Sequence, residues 1–369
     1  MRVLPENKEV IAAVKNLSVS YGRQKTLDIR SLEVYLHEAL VVIGPNGSGK
    51  TTLLLCLTRL IKPQTGTVFF NGASVADRKS VLQLHRRLAV VFQEPLLLNN
   101  SVWDNVMLGL RLRNVKGDEA KNRTKKWLER FGIAHLAKRQ ARTLSSGEAK
   151  RVSLARAFAL QPEILFLDEP FTALDSPTRQ TLLEDFENVL NETRITTVMV
   201  THDRNEAIAL ADRVIVLMNG RISQTGTPGE VFSAPVDEAV AGFVEAGNIL
   251  RGVVTSQSEG LASIKVEGEQ IEAASELTAG TNVTVLLPFD DVTVMLPSIE
   301  KTTTSARNRF SGQVMKLFPT GSQVRVTIDC GFPLVALVTR RSAEEMGLKK
   351  GSRVYATFKA VSTHVIKRH

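Results

Sequence analysis

Between Val10 and Phe92 the apolar residues come in short β-rich runs separated by polar and glycine-containing turns. The runs at 10–14, 32–36, 40–43, 67–70 and 88–92 read as strands. The 40–43 run stops at Gly44, and the leucine-rich stretch 53–57 resumes as a helix. From about 96 to 142 the strand signal vanishes; 118–131 shows helical spacing, with Asp118 as a candidate N-cap. Helices are predicted again at 149–160 and 177–191, and strands at 164–167 and 196–200. After Gly247 only short β-rich pieces remain. Strands and helices in alternation, then strands alone, predict an α/β unit over 1–246 with a helical insertion at about 96–146, followed by an all-β unit over 247–369.

The β-rich part repeats itself. Asn248-Ile249-Leu250-Arg251-Gly252-Val253-Val254 is echoed by Asn308-Arg309-Phe310-Ser311-Gly312-Gln313-Val314, and Ala279 to Val285 is echoed by Lys350 to Ala356. Two copies of a small barrel, 248–297 and 305–369, fit this pattern. The second copy is longer around 333–345, and the Thr/Ser-rich stretch 299–305 is the expected connector.

Composition narrows the class. A chain of 369 residues with 43% apolar and 5% aromatic content suits an α/β protein with more than one core. No run of eighteen uncharged apolar residues is present, and the first residues lack the apolar region of a signal peptide, so the chain is expected in the cytoplasm. Its two cysteines, Cys56 and Cys330, suit a reducing compartment and give no metal-ligand spacing. The net charge of +9 is localised: 305–369 holds 12 Lys and Arg against 3 Asp and Glu, and the other 304 residues hold 35 of each sign. This points to a local anion site, an acidic contact surface or a solvated basic face, and argues against nucleic acid as the partner.

Chemistry concentrates where strands end. Gly44-Pro45-Asn46-Gly47-Ser48-Gly49-Lys50-Thr51-Thr52 joins a buried strand to a helix. Its glycines let successive N–H groups turn inward on phosphate oxygens, and the helix N-terminus adds positive charge beneath the same anion. Lys50 can reach β- and γ-phosphates, and the Thr51 hydroxyl can ligate Mg²⁺. Gln93 follows the 88–92 strand, at the end where ligands of an open α/β sheet collect. Leu144-Ser145-Ser146-Gly147-Glu148 opens a helix and forms a second, weaker anion-cradle cue. The strand at 164–167 closes in Asp168 and Glu169, which alternation points in different directions. Asp168 is placed to hold Mg²⁺, usually through water, and Glu169 to orient or deprotonate an attacking water. His202 follows another strand; a lone histidine is often structural, but this position favours a γ-phosphate contact. Tyr21 lies in a turn, where an aromatic either stacks on a purine or simply packs.

In this order the motifs resemble those of the nucleotide-binding subunits of ABC transporters, over roughly residues 10–245. The resemblance maps the nine-residue loop to Walker A, Gln93 to the Q-loop, 144–148 to the signature, 164–169 to Walker B, 173–175 to the D-loop and His202 to the switch histidine, with Tyr21 as the adenine-stacking aromatic. It implies a P-loop NTPase fold with a RecA-like core and a helical subdomain, ATP and Mg²⁺ as ligands, and Thr51, Gln93 and Asp168 at the metal. It also implies a head-to-tail dimer in which Ser145 and Gly147 of one chain cover the γ-phosphate held by Lys50 of the other. One departure stands out. The usual Leu-Ser-Gly-Gly-Gln is Leu-Ser-Ser-Gly-Glu here, so Ser146 replaces a glycine near phosphate and Glu148 puts a negative charge near an anion.

The second barrel copy resembles the molybdate-binding, Mop-like family of OB-type barrels. Thr304-Ser305-Ala306-Arg307-Asn308, the stretch from Val338-Thr339-Arg340-Arg341-Ser342 to Leu348, and Phe358-Lys359-Ala360 carry that resemblance. A tetrahedral dianion needs several donors, and Ser305, Arg307, Arg340, Ser342 and Lys359 are the candidates. The alternative is a barrel kept for dimer contacts and regulation. The resemblances together imply the ATPase subunit of a molybdate or tungstate importer on the cytoplasmic face of the membrane. Its partners would be a second copy of itself, permease subunits and, indirectly, an extracytoplasmic solute-binding protein. An importer for sulfate or another small solute is the near rival. A soluble ABC ATPase acting on nucleic acid is the distant one, for which basic charge is the only support.

Overall fold

The computed structural model describes residues 9–22, 24–297 and 304–368, which form two compact units, one up to 228 and one from 229. In the first, β1 (Val10–Tyr21) and β2 (Gln24–Tyr35) make a long hairpin, and β3 (Ala39–Ile43) leads into α1 (Lys50–Leu57). β4 (Thr65–Phe70), β5 (Ala73–Ser74), α2 (Arg78–Arg87) and β6 (Leu88–Val91) follow. The insertion contributes α3 (Val102–Leu112) and α4 (Gly117–Arg130); α5 (Ser146–Ala159) then returns to β7 (Ile164–Asp168). The unit closes with α6 (Ser176–Thr193), β8 (Thr196–Thr201), α7 (Arg204–Leu210), β9 (Arg213–Met218) and β10 (Arg221–Gly226).

One sheet is antiparallel, in the order β2-β1-β4-β5; the other runs β10-β9-β3-β8-β7-β6, parallel from β9 to β6. Every residue of β3, β7 and β8 is buried, which is why β3 and β7 up to Leu167 appear in the sequence as unbroken apolar runs, while β8 mixes buried threonines with Val198, Met199 and Val200. β1 and β2 extend to twelve residues each, beyond the predicted segments, because bulges interrupt the alternation that would have revealed them. Asp118 is not the N-cap of α4: the helix starts one residue earlier, and Asp118 in its first turn pairs with Lys121 at 3.2 Å. Trp127 of α4 packs on Phe158 of α5, centroids 4.8 Å apart, and Phe158 packs on Phe186 of α6 at 6.0 Å. This aromatic row fixes the insertion to helices of the main sheet. Among the described residues no helix is long and apolar enough to cross a membrane.

The second unit begins within α8 (Pro228–Ser233), from Gly229 on, and continues with α9 (Glu238–Phe243). Its first repeat supplies β11 (Asn248–Ser258), β12 (Leu261–Val266), β13 (Glu269–Ala274), β14 (Asn282–Leu287) and β15 (Thr293–Met295). The second supplies β16 (Asn308–Thr320), β17 (Gln323–Asp329), β18 (Pro333–Thr339), α10 (Arg340–Glu345), β19 (Arg353–Phe358) and β20 (His364–Lys367). The unit begins earlier than the boundary expected at 246, because α9 belongs with it: Glu238 pairs with Arg251 of β11 and accepts from the Thr284 hydroxyl of β14.

The two repeats are not separate barrels. One sheet is β13-β12-β11-β14-β20 and the other β15-β19-β16-β17-β18, so each repeat gives its last strand to the sheet of the other. A buried asparagine at the start of each repeat adds a reciprocal clamp. Asn248 donates to the Val335 carbonyl (2.9 Å) and accepts from the Val335 N–H (2.7 Å); Asn308 makes the same pair of bonds with Glu272, both at 2.8 Å. One apolar cluster runs through both copies, from Leu250 and Val285 to Val326 and Phe358. Of the expected connector, residues 299–303 lie outside the described residues.

Candidate active site

The parallel sheet gathers four functional stretches at the carboxyl ends of its strands: the Gly44 loop after β3, Gln93 after β6, Asp168 and Glu169 at the end of β7, and His202 after β8. In the loop, a Cβ on Gly44 would lie 2.2 Å from the Leu217 carbonyl oxygen, and Gly49 precedes α1 with φ 99°, so neither position accepts a side chain without strain. Lys50, only 6% exposed, donates from Nζ to the carbonyls of Gly44 (2.8 Å) and Pro45 (3.1 Å). Burial pulls its pKa down, opposed by the charges of Glu169 and Asp168. Among the described residues, Ser48 Oγ is buried with no hydrogen-bond partner. A cavity of about 220 Å³ opens over Asn46, Gly47, Gly49, Lys50, Thr51 and Thr52, and Glu169 and Thr26 complete its wall. This bowl of backbone donors and one ammonium, with an orphaned hydroxyl beside it, fits a polyphosphate.

Thr51 Oγ1 donates to Asp168 Oδ1 at 3.0 Å, so two of the three residues assigned to the metal already share one locus of hard oxygen donors. Burial raises the Asp168 pKa; the Thr51 bond and the Lys50 and Lys150 charges counter it, while Glu169 adds to the rise. Glu169 adopts the left-handed region, φ 43°, at the strand end. It is held there by its N–H bond to the Val200 carbonyl (3.0 Å) and by the Thr172 hydroxyl donating to Oε2 (3.1 Å). Its Oε1 lies 3.2 Å from His202 Nδ1. The two acids thus diverge: Asp168 faces Thr51, and Glu169 faces His202 and the cavity.

The other predicted residues sit apart from this cluster. Tyr21 is 59% exposed at the β1–β2 turn and does not line the cavity; the same hairpin instead supplies Thr26. Gln93 is exposed, and its carbonyl accepts from Lys150. Ser145 and Gly147 face a different cavity of about 520 Å³, opposite Asp175 and Thr178, so within one chain they do not meet Lys50. Ser145 is the N-cap of α5 in a capping box: its Oγ accepts from the Glu148 N–H (3.3 Å), and its own N–H donates to Glu148 Oε2 (2.7 Å). The Ser145 N–H bond holds the Glu148 carboxyl below its usual range, and Arg139 lies 3.4 Å away. The negative charge expected to oppose an anion is therefore engaged by the helix it starts.

Lys150, a basic residue on the first turn of the signature helix in the sequence, and Glu206, which the sequence does not single out, take positions that only the fold shows. Lys150, 4% exposed, reaches the Gln93 carbonyl. Glu206 is buried behind His202, accepts from Thr201 Oγ1 at 2.6 Å, and is pushed by burial up to about 7. Asp203 caps α7 and pairs with Arg179 at 2.9 Å, fixing the turn that carries His202.

The five oxyanion candidates do not form one site in the chain. Ser305, Arg307 and Lys359 lie at one end of β16, where Asn308 pairs with Phe358; Arg340 and Ser342 lie at the other, where the Arg340 N–H bonds to the Ser322 carbonyl. Thirteen strand residues separate the groups, roughly 40 Å of chain path at about 3.3 Å per residue. Arg307 is also 3.4 Å from Glu272, and Ser342 caps with Thr339 at 2.7 Å.

A family model described as ABC transporter matches residues 27–172, and one described as TOBE domain matches 304–365. The molybdate/tungstate import ATP-binding protein WtpC of Pyrococcus abyssi is 36% identical over 354 residues, which cover 95% of this chain and 99% of that relative. The chain belongs to the ABC transporter ATP-binding family. The sulfate/thiosulfate import ATP-binding protein CysA of Thermosynechococcus vestitus is also similar, 32% identical over 93% of this chain and 94% of its own. Among solved structures, cbiO1 from Clostridium perfringens, part of the ABC transporter complex cbiONQ, superposes with TM-score 0.56 at 31% identity, covering 61% of this chain and 92% of its own. A dimeric ATP-binding cassette in a post-hydrolysis state with ADP and Pi gives TM-score 0.54 at 28% identity, covering 59% and 99%. As an ABC ATPase, the chain hydrolyses ATP in a process coupled to transport.

Proposed function

We propose that this chain is the ATPase subunit of an importer of molybdate or tungstate, working on the cytoplasmic face of the membrane as a head-to-tail dimer bound to permease subunits. The observation that carries the catalytic part is Glu169: its carboxylate walls the cavity above Lys50 and lies 3.2 Å from His202. In this reading Lys50 leaves its loop carbonyls for the β- and γ-phosphates of ATP, Glu169 takes a proton from the attacking water, and His202 holds the γ-phosphate. Mg²⁺, carried by Thr51, Asp168 and Gln93, would supply neutralisation of phosphate charge. The Ser145 hydroxyl keeps its proton available while its oxygen caps α5, so it can donate to the nucleotide of a second copy. An extracytoplasmic solute-binding protein would deliver the anion to the permease.

The substrate class rests on relatives whose similarity spans both units and whose names specify molybdate and tungstate. Competitive uptake by the assembled transporter tests it. Molybdate and tungstate should each suppress uptake of the other, with sulfate much weaker; sulfate competing equally would move the assignment to the sulfate importers. Anion binding by the C-terminal unit is tested separately, by calorimetric titration of the full chain with the three anions.

A further inference from the structure

α5 carries at its N-terminus the residues assigned to the nucleotide of a second copy, Ser145 and Gly147. One turn further on it grips the stretch that reads its own nucleotide. Lys150 donates from Nζ to the Gln93 carbonyl; Ser153 Oγ donates to the Pro95 carbonyl at 3.4 Å; Arg156 donates to the carbonyls of Pro95 (2.9 Å) and Leu96 (3.0 Å). Residues at i, i+3 and i+6 share one helix face, so three donors form a single ladder along the 93–96 segment. Within that segment Leu96 adopts φ 46°, Gln93 and Leu96 are exposed, and the ladder takes the carbonyls of Gln93, Pro95 and Leu96. Lys150 is the member nearest both ends of the connection, three residues from Gly147 and bonded to Gln93 itself. It is also the only one of the three whose ammonium is buried beside the acids Asp168, Glu169 and Glu206.

We propose that Lys150 is a positioning residue that couples the two ATP sites of the dimer, setting the signature end of α5 according to where Gln93 stands in its own site. A lysine stem gives this bond length and reach, and a buried ammonium bonded to a carbonyl is costly to leave unpaired, so Gln93 and α5 move together. Displacement of Gln93 by nucleotide and metal then displaces Ser145 and Gly147 toward or away from the nucleotide of the other copy.

The proposal rests on the composite-site reading, and the test separates the two. In a Glu169→Gln background, ATP-driven dimerisation is measured by analytical ultracentrifugation and nucleotide affinity of the monomer by fluorescent ATP titration. Lys150→Met, which keeps the stem and removes the donor, is expected to weaken the ATP-bound dimer on the order of 10-fold and leave monomer affinity within about twofold. Lys150→Gln, which restores a donor, should recover most of the loss and serves as the second variant if the methionine form does not fold. With Gln93→Ala already present, Lys150→Met should add almost nothing. Unchanged dimerisation, additive losses, or equal losses of monomer affinity would each overturn the coupling role. Failure of Glu169→Gln alone to dimerise with ATP would instead overturn the composite site.

Discussion

Replacing Glu169 by Gln is expected to lower ATP turnover by about 10²- to 10⁴-fold, the range for loss of a general base. The substitution keeps the shape and an oxygen to accept the Thr172 hydroxyl, so the left-handed turn at φ 43° retains its support. What disappears is the charge that lies 3.2 Å from His202 and faces the cavity over Lys50. Nucleotide binding should survive, because Lys50, the loop amides, Thr51 and Asp168 are untouched, and ATP should therefore accumulate on the protein instead of ADP. Steady-state phosphate release and the identity of the bound nucleotide after gel filtration measure both halves. Turnover above about a tenth of the parent would remove Glu169 from the role given to it here.

Ending the chain at Thr363 is expected to destabilise the C-terminal unit by roughly 4 kcal/mol, from loss of about four inter-strand hydrogen bonds at about 1 kcal/mol each. β20 pairs Lys367, Ile366, Val365 and His364 with Val283, Thr284, Val285 and Leu286 of β14, and those four β14 residues are buried. Without β20, β14 becomes a bare apolar edge, a form that natural sheets avoid. Calorimetry should show the transition of this unit about 10 °C lower. Lys367→Ala, at an exposed position of the same strand, should change stability by no more than about 0.5 kcal/mol and controls for charge. An unshifted transition would mean that the exchanged strand contributes little.

The catalytic half of the molecule was legible because its chemistry is written in contiguous residues at strand ends. A nine-residue loop, a pair of acids closing an apolar run and a histidine after another run each declare a position on the same edge of the sheet. Lys150 and Glu206 were hidden for the opposite reason: each is a charged residue inside a helix, and only the fold shows that it faces inward toward Gln93 or Thr201. The Ser145-to-Glu148 capping box was visible as a serine with glutamate three residues on, yet its position in the signature drew attention to phosphate instead of to the helix. In the C-terminal unit the repeat was readable but the pairing was not. Local pattern names strands without saying which sheet they join; the Mop-like resemblance grouped Arg307 and Lys359 with Arg340, and the fold sets Arg340 at the opposite end of β16.

The exchanged strands and the paired asparagines have a further consequence. Each repeat lacks one strand and holds the strand that completes its neighbour, while Asn248 and Asn308 fasten each repeat to the backbone of the other. The two repeats are therefore complementary fragments that happen to share a chain. Cleaved between 297 and 304, they should remain associated and fold as a heterodimer, whereas either fragment produced alone should be left with an open seam.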